Sequence, residues 1–182
     1  MPVRSSTKPL VLAGLLAAFN VLAAEPQLGP VIENHGPVFD VPEGSFNLDP
    51  AQKYGVVMDI GKGPDDLAEL NRSIESAARF LNMHARNGIE PGNLEMAVVL
   101  HGSGARAALN GPAHEKHFGV ENANQGLLEE LGRAGVKIYL CGQTAAYYGY
   151  APNDLLPQVT VAVSAMTVHV RLQQEGYRGI LF

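Results

Sequence analysis

The chain has 182 residues, a formal charge of −5 at pH 7 and one cysteine. An acidic chain with no basic run argues against nucleic acid, whose phosphates must be neutralised by Lys and Arg. A lone cysteine excludes an intrachain disulfide, so packing rather than covalent staples must hold the fold.

The first two dozen residues read as an address. Arg4 and Lys8 make a short basic start, Leu10 to Ala24 is an almost unbroken apolar run, and Leu22-Ala23-Ala24 offers small residues for cleavage before Glu25. These three parts predict a secretory signal peptide over residues 1–24 and a periplasmic destination. The competing reading is a retained anchor, but a span needs ~20 apolar residues and this run is shorter and interrupted by Asn20. No later segment is long and apolar enough to span, so no membrane span is expected after cleavage. The remaining roughly 158 residues suit one domain, with a charge of about −7.

Residues 25–50 contain Pro26, Pro30, Pro37, Pro42 and Pro50 with Gly29, Gly36 and Gly44 among them, which predicts an extended leader, wrapping the domain or joining a partner. From residue 51 the pattern changes. Tyr54 to Ile60 is a short apolar run closed by Gly61, suited to a buried strand. Leu67, Leu70, Ile74, Ala77, Ala78 and Leu81 fall at helical spacing and predict a helix from Pro64 to Asn87, stopped by Gly88. Met96 to Leu100 is a second strand, ending at His101-Gly102, and Ser103 to Leu109 suits a helical turn followed by a polar loop. Leu127, Leu128, Leu131 and Ala134 mark another amphipathic helix ending at Gly135. Val136 to Leu140 is a third strand, ending at Cys141-Gly142, with a short helix over Thr144 to Tyr148. Val159 to Val163 is a fourth strand, Ser164 caps a helix through Leu172 to Glu175, and Gly179 to Phe182 is a last strand. Strands alternating with helices at this spacing predict an α/β fold, a parallel sheet with helices on both faces.

In such a sheet ligands bind outside the carboxyl ends of the strands. Gly61 to Pro64, His101 to Gly104 and Cys141 to Thr144 therefore form the candidate rim, with Cys141 as the nucleophile and His101, Gly102, Gly142 and Gln143 as ligand-contacting positions. A helix start directly after Cys141 favours the thiolate; a small buried hydrophobe is the alternative fate of a free cysteine. His114 and His117 read as solvated loop residues, and no metal site is expected. His169 reads as a packed helix residue. His-Gly-Ser-Gly at 101–104 resembles an esterase oxyanion loop, but no G-x-S-x-G elbow accompanies it. Gly61-Lys62-Gly63 lacks the length and the Lys-Ser/Thr of a phosphate loop. Asp65, Asp66, Glu129 and Glu130 read as helix-end or solvated charges. No cofactor is expected.

Several of these pieces together resemble a known family. They are the strand ending in His101-Gly102, the segment Gly135-Val136-Lys137-Ile138-Tyr139-Leu140-Cys141-Gly142-Gln143-Thr144, Asp154-Leu155-Leu156-Pro157, and Leu172-Gln173-Gln174-Glu175-Gly176-Tyr177. In order and spacing, Lys53 to Phe182 resembles the DsrE/DsrF-like proteins, small α/β domains linked to sulfur relay. The resemblance implies a three-layer α/β/α fold with a mostly parallel five-stranded sheet, and homo- or hetero-oligomers, commonly trimers or hexamers. It implies a persulfide on the cysteine at the matching strand end, here Cys141, with His101 beside it and a sulfur donor or acceptor protein as partner. Two features set this chain apart: its exported character and its Pro-rich leader. The alternative is a binding or assembly module in which Cys141 is structural and the leader docks a partner.

Overall fold

The computed structural model describes residues 24–41 and 47–180. The expected signal peptide at residues 1–23 and the last two residues of the expected final strand lie outside them. Five strands form one sheet: β1 (Tyr54–Ile60), β2 (Leu94–Leu100), β3 (Lys137–Cys141), β4 (Val159–Ala162) and β5 (Arg178–Ile180). Their spatial order is β4-β3-β2-β1-β5, and every pairing is parallel. The central strands β1 and β2 are apolar along nearly their whole length because both their faces are covered, as a parallel sheet requires.

Helices α1 (Arg72–Arg86) and α3 (Gln125–Arg133) cover one face. Ile74, Ala77, Ala78 and Leu81 of the first, with Leu127, Leu128 and Leu131 of the second, pack against Val56, Met58, Ile60, Val98, Leu100, Ile138 and Leu140. The opposite face carries a smaller core, in which α5 (Ala165–Gln174) lays Ala165, Val168 and Leu172 over Val57, Ala97, Val99 and Cys141. The chain is thus a three-layer α/β/α fold.

Two expected elements differ from the structure. The first helix begins at Arg72 instead of Pro64. Asp66 Oδ1 accepts from the Ala68 N–H, a local turn that competes with helix, and Asn71 is the true N-cap, accepting from Ser73 and Ile74. The expected polar loop after Leu109 contains a helix, α2 (Gly111–Phe118). Asn110 caps it, Pro112 occupies its first turn and Gly119 ends it in the left-handed conformation. His114 is therefore a buried helix residue bonded through Nδ1 to the Val120 carbonyl, not a solvated one, because its ring fills the space between α2 and the turn that follows it.

Residues 27–40 lie along α1. Ile32 and Val38 are buried, and Asn82, fully enclosed in the middle of α1, accepts from the Val31 and Ile32 N–H groups and donates to the carbonyls of Ile32, His35 and Gly36. One amide side chain thereby supplies the backbone partners that an irregular buried segment cannot provide for itself. Arg86 adds a two-pronged contact to Asp40. No helix among the described residues is long and apolar enough to cross a membrane.

Candidate functional site

The carboxyl ends of β1, β2 and β3 bring the candidate residues together. Leu100 pairs with Leu140, so His101 and Cys141 occupy neighbouring positions at the strand ends. A second short helix, α4 (Gly142–Tyr148), starts directly after Cys141, earlier than the expected Thr144. It can start there because residue 142 is glycine: a Cβ at this position would lie 2.5 Å from the Ala162 carbonyl oxygen of β4.

Cys141 is nearly enclosed, 6% exposed. Burial is the largest single influence on its thiol and pushes its pKa up. The Thr144 hydroxyl, then the N–H groups of Thr144, Ala165 and Gln143, face the sulfur and favour its anion, and together they bring the pKa below the ordinary thiol range. Two of these N–H groups open α4 and the third opens α5, so two helix starts converge on one sulfur. That is an environment built for a negative charge.

The other expected positions support this arrangement by their backbones. The Gln143 N–H contributes to lowering the thiol pKa, and its side chain donates to the Val163 carbonyl. Gly102 donates its N–H to Thr144 Oγ1 at 3.4 Å, linking the loop after β2 to the residue that binds the thiol. Thr144 lies in the expected rim but was not among the expected site residues, and its hydroxyl is the foremost group lowering the thiol pKa. Its signal was present, since a hydroxyl three residues into a helix that begins at a cysteine can reach back to the sulfur.

His101 is at the rim but engaged elsewhere. Its Nε2 lies 3.0 Å from both oxygens of Asp59, and its ring crosses Gly61 so closely that a Cβ there would meet Cε1 at 2.8 Å. His169, expected to be merely packed, places Nε2 2.6 Å from Asp59 Oδ1. The correction has a simple cause: α5 lies over this face, and the residue after Val168 on its inner side meets the only carboxylate in β1. Burial pushes Asp59 up. The hydrogen bonds and charges of His101 and then His169 outweigh this and hold the carboxyl below its usual range. Asp59 was also missed, although a lone acid inside an apolar strand is a visible signal, because such a group requires partners. Among the described residues, no three His, Cys, Asp or Glu side chains converge on a point that could hold a metal ion.

A sequence model described as "DsrE/DsrF-like family" matches residues 52–182. No curated protein matches the chain. Among solved structures, it resembles a protein of unknown function from Methanobacterium thermoautotrophicum at 24% identity and TM-score 0.55, covering 71% of this chain and 100% of that one. It also resembles the ychN protein from E. coli at 19% identity and TM-score 0.53, covering 71% of this chain and 99% of that one. Both likenesses concern the fold.

Proposed function

The chain belongs to the DsrE/DsrF-like family, which is linked to sulfur relay, and from that premise we propose that Cys141 accepts a sulfane sulfur and carries it as a persulfide. The observation that supports this most is the meeting of two helix starts at Cys141, α4 directly after it and α5 at Ala165 packed against it, whose N–H groups with the Thr144 hydroxyl lower the thiol pKa. The persulfide that forms is itself an anionic sulfur chain, and the same donors suit it. Donor and acceptor are small persulfides or proteins that present one. Sulfur added to the reduced protein by polysulfide is expected at Cys141 by mass spectrometry, and it is lost in Cys141→Ser. Absence of an adduct with polysulfide and thiosulfate alike would sink this reading.

A second reading is supported by the 6% exposure of Cys141 within the core under α5. On it, the cysteine is structural and the rim binds a ligand or partner without chemistry. Cys141→Ser would then leave partner binding intact and lower stability slightly.

Assembly into a homo-oligomer, a trimer or hexamer, belongs to the same proposal. Val161 and Val163 at the sheet edge and Met166 and Val170 on the outer side of α5 are exposed apolar residues beside the outer edge of β4, which among the described residues pairs only with β3. An edge of that kind is ordinarily covered. Val163→Lys is expected to shift the protein to monomer in sedimentation. Export through residues 1–24 completes the proposal, and N-terminal sequencing of periplasmic protein beginning at Glu25 would support it.

A further inference from the structure

Two imidazoles converge on one carboxylate on the sheet face that also carries Cys141, two strands away from it. An ionised carboxylate only accepts, so both Nε2 atoms carry hydrogens and each ring keeps Nδ1 free of Asp59. The arrangement joins three elements, with Asp59 in β1, His101 after β2 and His169 on α5. The 2.6 Å contact from His169 is the shorter, fixing the carboxylate against the helix, while His101 bridges both oxygens. Gly61 leaves room for that ring and for no side chain of its own.

His101 is bonded to Asp59 and makes no hydrogen bond to Cys141, so what it can serve is the other end of a displacement. Nucleophile, transferred sulfur and leaving sulfur lie in line. With S–S bonds of ~2.05 Å, lengthened in the transition state, the leaving sulfur sits about 4–5 Å from Sγ. Adjacent strands are about 4.8 Å apart, and His101 is one strand over from Cys141 at the same level. The backbone spacing of the two positions is therefore comparable to the span from nucleophile to leaving sulfur.

Resting on the reading of Cys141 as a sulfur acceptor, we propose that Asp59 and His169 are positioning residues that hold His101 as the general acid for the leaving sulfur of a persulfide or polysulfide donor. The Cys141 thiolate attacks the outer sulfur of R–S–SH and forms the new S–S bond. The donor's S–S bond breaks with its electron pair on R–S, and the His101 imidazolium passes the Nδ1 proton to it. The products are R–SH and the Cys141 persulfide. The proton released when the next Cys141 thiol ionises restores the imidazolium, so no oxidant or reductant is consumed. Asp59 keeps Nε2–H in place throughout, in both charge states of the ring.

The test varies the leaving group. The full chain is reacted with a diaryl disulfide, whose thiolate leaves unaided, and with a dialkyl disulfide, whose thiolate is about as basic as free cysteine. Modification of Cys141 is followed by mass spectrometry. Asp59→Asn is expected to slow the dialkyl reaction about tenfold or more and the diaryl reaction by less than about twofold. His169→Gln, whose amide still donates to Asp59, is expected to recover most of the rate that His169→Leu loses. Equal slowing with both disulfides, or no slowing with either, would overturn the proposal. A wild-type Cys141 inert to the diaryl disulfide would overturn the sulfur-accepting reading as well, and so tells the two failures apart.

Discussion

The face of the sheet under α1 and α3 is dry and thick, built from Val, Met, Ile and Leu on strands and helices alike. The face under α5 has a thin core that shares its space with Asp59, His101, His169 and Cys141. The same strands serve both, since successive side chains alternate between faces. On β1, Met58 and Ile60 point one way while Val57 and Asp59 point the other. The division shows how a small domain can tolerate charged groups near its middle: the larger apolar core lies on one side of the sheet and the polar groups on the other.

Truncation on the two faces tests this division most forcefully. Leu128→Ala on the dry face is expected to cost about 2–5 kcal/mol in denaturant unfolding, since a fully enclosed side chain leaves a cavity. Val168→Ala under α5 is expected to cost about 1–2 kcal/mol. Equal losses would break the comparison. A smaller effect, confined to chemistry, is expected from Thr144→Val. It removes the hydroxyl that lowers the thiol pKa most, so the pKa moves up and alkylation of Cys141 at neutral pH is expected to slow severalfold, with the thermal midpoint little changed. Unchanged alkylation would assign the thiolate to the N–H groups alone.

The smallest expected effect concerns acid. The folded pKa of Asp59 lies below its unfolded value of about 3.9, so its contribution to stability is fully present above that value and is lost as pH falls through the folded one. The stability gap between wild type and Asp59→Asn should therefore narrow as pH falls below about 4. Titration curves read by circular dichroism check this, and a gap that widens below about pH 4 would contradict it.

Much of the frame is legible in the sequence because it depends on short-range patterns. The run Tyr54 to Ile60, the pairing of Ser164 with a following helix, and the break at Gly135 before β3 each follow from periodicity or from a single cap. The start of α1 was misplaced by such local logic. Pro64, Asp65 and Asp66 form a plausible helix start, yet Asn71, bonded also to the Lys62 carbonyl and Asn124, is the cap that the packed loops select. The partnership of Asp59 with His169 spans 110 positions, and no local pattern reports a contact at that separation.

The sequence alone determined the position of Cys141, at the end of a buried parallel strand and ahead of a helix, because strand period and breaker residues act over a few neighbours. It also determined the family. The tertiary structure decided what surrounds the sulfur. The Ala165 N–H arrives from α5, Thr144 is bonded by Gly102 from the loop after β2, and His101 is drawn to Asp59. Those contacts exist only once the strands have paired and α5 has closed over the sheet, since hydrogen bonds between distant segments are fixed by packing and not by adjacency.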